Sequence, residues 1–580
     1  MVAKTITKTA AKTITKSCSS GSINSGAAAS PCGKSGVGSG KIFDVAIIGS
    51  GPGGYVCAIR AAQLGLKVAM IEKDELGGIC LNHGCIPTKS LLTSAALLNN
   101  ANKSADFGVS FKGVSFDFKK IISRSKDVSA KLCGGVAMLM NKHKVDVISG
   151  FAKIDRVTES EENSRIDGSR VFKVEVENTV GNKIVNVDCI SAKNVVVATG
   201  ASARVLPFMI PDGNAIWDYK HALSPKALPN SIIVVGSGAI GVEFAYFYKT
   251  LGVNVTILEA QDGILQTEDA EIAKIARAAY EKMGITIKTS FAIESCDINK
   301  KGKPNKIVTI KGSHAGKVEA LSADVVLSAV GVVPNSKNIG LDCLVEASDA
   351  KLGGKLFDKM GRIVVDNQMK TCINGVFAIG DVCSAGPALA HKASHDGVFC
   401  AELIAKELET LKNIQSSNNP QSEKISLAAG SNGGSQPQPQ SHLHPHLQQH
   451  LQSHASNPLN VPSCIYTEPQ IASVGITEAK AKEMGLKVKI GKFSGVGNGK
   501  SIAINNTSGL VKTICDAETG EILGAHIVGA YATEMINSIV VAKQSELTNE
   551  EIAHSIFPHP TVSEMIHESF LDSLGKALHK

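Results

Sequence analysis

Two cysteines are separated by four residues in the stretch GGICLNHGCIPTKS, residues 77–90. A thiol pair closing so short a loop forms a disulfide with little loss of chain entropy. The run from Cys85 through Pro87 is typical of the first turn of a helix. The helix N-terminus and Lys89, one turn on from Cys85, should hold the pKa of Cys85 below the roughly 8.5 of a free thiol. The spacing predicts a redox-active disulfide between Cys80 and Cys85.

Two alternatives remain for this cysteine pair. It could be a purely structural disulfide, or half of a zinc site. Zinc would require two more Cys or His ligands at suitable spacing, and the neighbouring sequence supplies none. We therefore expect no metal at this site.

A histidine and a carboxylate lie close together near the C-terminus, in IFPHPTVSEMIHES. His559 stands between two prolines, and Glu564 follows five residues later, near the start of a predicted helix. A carboxylate on one imidazole nitrogen fixes the tautomer and leaves the other nitrogen as a general base. Thiol–disulfide exchange needs such a base to form the attacking thiolate. Taken alone, a structural histidine is the alternative interpretation.

The elements that position these groups begin at Ile42 with IFDVAIIGSGPGGYVCAIRAAQLGLKVAMIEK, which predicts a strand, a glycine turn, a helix and a second strand. In a dinucleotide-binding unit Gly49 makes the tight turn, Gly51 admits the pyrophosphate and Gly54 lets helix and strand pack closely. Glu72, eighteen residues after Gly54, is placed to accept hydrogen bonds from a ribose. The sequence therefore predicts a dinucleotide site here.

The same strand–turn–helix–strand pattern recurs at residues 231–259, with Gly236, Gly238, Gly241 and the acid Glu259. An acid at the end of the second strand repels the 2′-phosphate of NADP and favours NAD. A disulfide exchanges electrons in pairs, and a flavin can mediate between thiolate and hydride. We therefore expect a tightly bound flavin in one unit and a diffusible nicotinamide in the other. Asp381 follows another apolar strand, where its carboxylate can meet a hydroxylated chain such as ribityl.

Composition sets the broad class of the protein. The 580 residues include 43% apolar residues and 55 glycines, which suits several α/β domains with tight turns. The sequence contains no run of 18 apolar residues, so it predicts no membrane-spanning helix. Aromatic residues make up only 4%, which argues against a stacking surface for nucleic acid. The irregular spacing of the 14 cysteines is typical of an intracellular chain with reduced thiols.

The domain order is predicted to be nested, because one dinucleotide unit begins, a second is inserted and the first resumes. Two low-complexity segments lie outside these units. The Lys-, Ser- and Gly-rich tail predicts a disordered segment or a transit peptide. The Gln-, Ser- and His-rich insertion predicts a flexible surface segment, and metal binding by its histidines is the alternative. The expected segments are the tail at 1–41, the flavin domain at 42–200 and 321–410, the nicotinamide domain at 201–320, the insertion at 411–459 and a C-terminal domain at 460–580.

Over 42–410 and 460–580 the chain resembles the flavoprotein disulfide reductases, and among them the dihydrolipoamide dehydrogenases. The similarity rests on GGICLNHGCIPTKSLL, on LAHKA within GPALAHKASHDGV, on YTEPQIASVG and on FPHPTVSE. Ile79 and His83 depart from the family pattern, as does VGVVPN. The resemblance implies an α/β fold with two nested Rossmann-like domains for FAD and NAD and a C-terminal α+β dimerisation domain. It also implies a homodimer in which the His559–Glu564 pair of one subunit completes the disulfide site of the other.

The resemblance further assigns roles by position. Cys80 becomes the thiol that meets the substrate, Cys85 the flavin-side thiol, and Lys89 a residue near the flavin that is paired with Glu243. The remaining cofactor positions are Gly49, Gly51, Gly54, Glu72, Ala152, Thr199, Gly200, Asp381 and Ala390 for FAD, and Gly236, Gly238, Gly241, Glu259 and Gly331 for NAD.

The implied activity is oxidation of dihydrolipoyl groups by NAD+, with lipoyl domains of 2-oxoacid dehydrogenase complexes or the glycine cleavage H protein as partners. Reduction of another small disulfide by NADH is an alternative within the enzymes, and a scaffold role for the tail and insertion is one outside them. A cytoplasmic location is expected, with the mitochondrial matrix as the second choice.

Overall fold

The computed structural model describes residues 41–155, 165–166, 169–180, 183–299, 307–314, 316–342, 344, 355–417 and 457–580. Most of the tail and most of the insertion, residues 1–40 and 418–456, lie outside the described residues. Residues 411–417, which were expected to begin the insertion, instead continue a helix. Among the described helices, none is long and apolar enough to cross a membrane.

The first part of the chain builds a sheet around the first dinucleotide unit. The strands of this part of the chain are β1 (Ile42–Ile48), β2 (Val68–Glu72), β3 (Asp146–Ser149), β4 (Phe151–Asp155), β5 (Arg165–Ile166), β6 (Ser169–Arg170), β7 (Phe172–Val180), β8 (Lys183–Val197) and β9 (Ala201–Ala203). Of these, β5 and β6 form a separate two-stranded sheet, and β9 belongs to another. The helices of this part are α1 (Pro52–Gln63), α2 (Gly78–Asn82), α3 (Cys85–Asn102) and α4 (Phe118–Lys142). The sheet order is β3-β2-β1-β8-β7-β4, and β1 runs parallel to both neighbours. Such strands are covered on both faces, which explains the continuous apolar run of β1.

The second part builds a separate parallel sheet. Its elements are β10 (Ile216–Trp217), α5 (Tyr219–Leu223), β11 (Ser231–Val235), α6 (Ala239–Thr250), β12 (Asn254–Leu258), α7 (Ala270–Lys282), β13 (Thr286–Lys288), β14 (Phe291–Asn299), β15 (Ile307–His314), β16 (Lys317–Ala323), β17 (Val325–Ser328) and β18 (Val332–Pro334). The parallel sheet has the order β10-β17-β11-β12-β13, and β14, β15 and β16 form an antiparallel sheet. Because the buried strand β17 pairs with β11, this sheet extends beyond the boundary expected at residue 320.

The chain then returns to the first sheet and ends in an antiparallel one. β19 (Val376–Ala378) pairs with β8 and is followed by α8 (Ala390–Ser417). The C-terminal elements are β20 (Ser463–Ile465), β21 (Gln470–Gly475), α9 (Glu478–Glu483), β22 (Val488–Ser494), α10 (Gly499–Ala503), β23 (Leu510–Asp516), β24 (Ile522–Gly529), α11 (Ala532–Gln544), α12 (Asn549–His554) and α13 (Glu564–Ser573). Their sheet order is β20-β21-β24-β23-β22. Short 3₁₀ turns occur at Ser104–Phe107, Gly380–Val382, Pro458–Asn460 and Gly495–Gly497. The predicted nested α/β architecture is confirmed.

Candidate active site

Cys80 and Cys85 meet at the junction of α2 and α3. Cys80 lies within α2, Cys85 is the first residue of α3, and both are free thiols in this structure. The two thiols are hydrogen-bonded to each other. The hydrogen bond from Cys80 lowers the pKa of Cys85 to about 7, with help from Lys89 and against the effect of burial. The same hydrogen bond and burial raise the pKa of Cys80. Of the two thiols, Cys85 is therefore the one that loses its proton more readily.

Lys89 connects this thiol pair to two other elements. Its Nζ lies 2.9 and 3.0 Å from the two carboxylate oxygens of Glu243 on α6, a side chain that is almost fully buried. The Lys89 ammonium also lies 4.4 Å from the ring centroid of Tyr466, within the range of a cation–π interaction. The backbone N–H of Tyr466 donates to Glu243 over 3.0 Å. Sequence reasoning placed Tyr466 only in a dimerisation motif and missed this contact.

The glycines of the first unit form the cradle that their spacing predicts. Gly49 has φ +104°, and a Cβ there would lie 2.4 Å from the Ala198 carbonyl oxygen. A Cβ on Gly54 would lie 1.9 Å from the Gly49 carbonyl oxygen, so this glycine permits the close approach of α1 to the turn. By contrast, a Cβ on Gly51 would meet nothing within 4 Å, which leaves room for a phosphate beside the backbone. In the second unit the same roles fall to Gly236, Gly241 and Gly238.

The acids at the strand ends are held in the same way in both units. One oxygen of Glu72 accepts hydrogen bonds from the backbone N–H and the hydroxyl of Ser50, over 2.8 and 2.7 Å. Glu259 accepts the same pair from Ser237, over 3.0 and 2.6 Å. These bonds fix each carboxylate at the edge of its cradle. Both serines occupy the middle position of a GxG turn, a repeated signal that sequence analysis did not use.

Both cradles and the thiol pair open into one cavity of about 1640 Å³. Most of the predicted cofactor residues line it: Gly49, Gly51, Glu72, Ala152, Thr199, Gly200, Gly236, Gly238, Glu259, Gly331, Asp381 and Ala390. Gly54 and Gly241 are absent from this lining, since each packs against its own turn. Burial raises the pKa of Asp381, and Lys392 opposes the shift. The open space beside Gly51 and the carboxylates of Glu72 and Asp381 on the cavity wall fit the requirements of FAD, which needs room for a pyrophosphate and acceptors for hydroxyl groups.

The segment VGVVPN, a departure from the family pattern, closes this cavity on one side. The Asn335 side chain donates to the carbonyl of Thr199 over 2.9 Å, and the Thr199 hydroxyl donates to the carbonyl of Asn335 over 2.7 Å. These reciprocal bonds join the segment after β8, which carries Thr199 and Gly200, to Asn335 immediately after β18. Asn335 is thus anchored without an arginine.

His559 and Glu564 meet each other but lie apart from this cavity. His559 Nδ1 is 2.9 Å from Glu564 Oε1, and the other carboxylate oxygen accepts the Thr561 backbone N–H over 2.8 Å. Burial raises the pKa of Glu564, but the Thr561 and His559 hydrogen bonds outweigh it and leave the pKa below its usual value. The His559 side chain is 78% exposed and does not line the cavity of its own subunit. Its imidazole is therefore available to another surface.

Within the part of the chain that the structure describes, no group of three or more His, Cys, Asp or Glu side chains could hold a metal ion.

Comparison with known proteins identifies two matching families. Residues 43–397 match the pyridine nucleotide-disulphide oxidoreductase family, and residues 461–570 match its dimerisation domain. A dihydrolipoyl dehydrogenase from Rhizobium etli is 44% identical over 93% of this chain and 99% of its own length. The mitochondrial dihydrolipoyl dehydrogenase of Pisum sativum is 35% identical over 92% of each chain.

Solved structures share the fold. The crystal structure of LpdA from Mycobacterium tuberculosis superposes with a TM-score of 0.71 at 24% identity, covering 91% of this chain and 98% of its own. The HOCl-induced flavoprotein disulfide reductase RclA from Escherichia coli gives a TM-score of 0.66 at 23% identity, covering 91% and 99%. At these identities the structural comparison concerns the fold alone.

Proposed function

We propose that this chain, which belongs to the pyridine nucleotide-disulphide oxidoreductase family, works as a dihydrolipoyl dehydrogenase. It is an oxidoreductase with FAD and NAD(H) as cofactors. The observation that carries the proposal is that a thiol pair and two dinucleotide cradles share one cavity. Such a cavity suits transfer of an electron pair from a dithiol to a nicotinamide.

The proposed substrate reaction is a dithiol–disulfide exchange. In the oxidised protein a substrate thiol gives its proton to His559 and attacks the Cys80 sulfur of the Cys80–Cys85 disulfide. Cys85 leaves as a thiolate, which the Lys89 ammonium stabilises. The second substrate thiol then attacks the substrate sulfur of the mixed disulfide, and its proton passes to the departing Cys80 sulfur, so that the cyclic lipoyl disulfide and the Cys80 thiol are released. FAD, when bound, supplies the two-electron chemistry that connects the reduced cysteines to NAD+.

His559 acts across a subunit interface in this proposal. The chain carries the family's dimerisation domain at residues 461–570. The exposed His559 lies in that domain, away from the thiols of its own subunit. Pairing of two copies as a homodimer would let each His559–Glu564 pair serve the cavity of the other copy. Glu564, held ionised, fixes the imidazole so that its second nitrogen faces the substrate.

Lipoyl arms of 2-oxoacid dehydrogenase complexes or of the glycine cleavage H protein are the proposed partners, because both present a dithiol on a mobile chain. The proposed location is the cytoplasm, since bacterial relatives are prominent among the matches, with the mitochondrial matrix as the second choice in view of the Pisum sativum relative.

An anaerobic titration tests the proposal. Dihydrolipoamide should add a long-wavelength charge-transfer band to the flavin spectrum of the purified protein, and NAD+ should restore the original spectrum. A protein whose flavin is reduced by NADH but not by dihydrolipoamide would instead be a reductase of another disulfide, and its turnover of glutathione disulfide would be the next comparison. A protein that takes up no FAD would contradict the proposed enzyme altogether.

A further inference from the structure

A buried ion pair on α8 has no part in the proposed exchange. Lys392 and Asp396 lie one turn apart, with 2.6 Å between Nζ and Oδ2 and side chains that are 1% and 0% exposed. Two charges taken out of water lose hydration free energy, and their mutual attraction restores only part of it. Such a pair therefore contributes little to the stability of a fold. One reason to retain it is that it fixes a single local conformation.

The contacts of the pair identify which conformation is fixed. Asp396 Oδ2 accepts the backbone N–H of Gly380 over 3.1 Å. Lys392 Nζ lies 3.8 Å from the Cys383 sulfur, and that thiol donates to the Gly380 carbonyl over 3.1 Å. The pair therefore holds both ends of the 3₁₀ turn Gly380–Val382.

This turn presents one side chain to the cavity. Gly380 has φ +72°, and a Cβ there would lie 3.0 Å from the Ala393 Cβ, so the turn is seated directly on the first turns of α8. Asp381, the middle residue, lines the cavity. Lys392 opposes the rise in the pKa of Asp381 that burial causes, and Asp396 adds to it.

We propose that Lys392 and Asp396 are positioning residues of the flavin site, which fix the Gly380–Val382 turn so that the Asp381 carboxylate faces the hydroxylated chain of FAD. The inference rests on the proposed function to the extent that it places a flavin in the first cradle. It gives a role to the lysine of the LAHKA segment, for which the sequence motif supplied none.

The test replaces both charges together. In a Lys392→Met, Asp396→Leu double variant no buried charge is left unpaired, so the protein should fold. Glu407→Gln is the matched control, because Glu407 lies on the same helix in a half-exposed ion pair with Lys370. FAD dissociation from the holoprotein is followed by flavin fluorescence, and the fold by far-ultraviolet circular dichroism. We expect the FAD dissociation constant to rise at least about tenfold in the double variant and to stay unchanged in the control.

A second comparison shows whether the pair acts through Asp381. If it does, Asp381→Asn should weaken FAD binding much less in the double variant than it does in the wild-type protein. Additive losses would overturn the proposal, as would a double variant that holds FAD as tightly as the wild type. A double variant without the wild-type circular dichroism would also overturn it, since the pair would then hold the whole domain. None of these readouts involves turnover, so a protein that binds FAD but leaves dihydrolipoamide unoxidised would contradict the proposed function alone.

Discussion

At the scale of single residues, the two thiols of the site are the same side chain in different surroundings. The hydrogen bond from Cys80 and the nearby Lys89 ammonium favour the thiolate of Cys85, whereas burial and the neighbouring sulfur favour the neutral form of Cys80. This difference suits the proposed tasks of Cys80, the outer thiol, and Cys85, the inner thiol on the flavin side. The outer sulfur exchanges with substrate, and the inner one holds the electron pair.

This difference predicts a pH dependence in the reduced protein. The pKa of Cys85 is lowered to about 7, so its thiolate should dominate above that pH and be lost as the pH falls through it. Removing the cation in Lys89→Met should move the transition upward by on the order of one unit. The measurement is the ultraviolet absorbance of the thiolate, taken as the difference between each protein and its Cys85→Ser form. Lys220→Met, which removes another cation from the cavity wall, is the control and should leave the transition in place.

A second residue-scale prediction concerns Cys80. Cys80→Ser removes the sulfur that substrate must attack, so dihydrolipoamide oxidation should be lost while FAD remains bound. The measurements are NAD+ reduction and the flavin spectrum of the purified variant. Cys296→Ser, which changes a part-buried thiol of β14, should behave as wild type. Normal turnover in Cys80→Ser would remove the thiol pair from the mechanism.

At the scale of helices and strands, two glycines at the start of α1 differ in what surrounds them: Gly54 packs against backbone, and Gly51 faces open space. Gly54→Ala would press a methyl group against the Gly49 carbonyl oxygen and should destabilise the fold by about 1–3 kcal/mol or more. Gly51→Ala meets no protein atom and has an ordinary φ, so its free energy of unfolding should change by less than about 1 kcal/mol. Its methyl group nevertheless occupies the space left for a phosphate, so FAD binding should weaken about tenfold.

Denaturant unfolding and FAD titration of these two variants separate the two effects. If Gly54→Ala unfolds like the wild type, or if Gly51→Ala binds FAD with unchanged affinity, the corresponding part of the cradle is misassigned.

Much of this element structure follows from local sequence. The strand–turn–helix units and their acids were predictable because periodicity and glycine spacing act within some thirty residues. The ring of Tyr466 over Lys89 was not, because it depends on how a C-terminal strand docks against α3 and α6. For Cys85, sequence gave the direction of the pKa shift through the helix N-terminus and Lys89. The largest cause of that shift is the hydrogen bond between the two thiols, which local sequence does not predict because it depends on how the loop between Cys80 and Cys85 closes.

At the scale of the whole molecule, the proposed base and the two thiols lie in different domains of one chain. The His559 imidazole lies outside the cavity that Cys80 and Cys85 line, whereas the proposed exchange requires substrate to contact both. The C-terminal domain that carries His559 is a dimerisation domain. A symmetric dimer brings the same two surfaces together twice, so two complete sites would form from two incomplete subunits.

Mixed dimers test this arrangement directly. His559→Gln alone should slow turnover by a factor on the order of a hundred, because the substrate thiol loses its base. A heterodimer of Cys80→Ser with His559→Gln, purified through two different affinity tags, contains one site with both changes and one with neither if His559 acts across the interface. It should therefore recover about half of the wild-type activity, although each parent homodimer is nearly inactive. If His559 served its own subunit, every site would carry one change and the heterodimer would stay as slow as its parents.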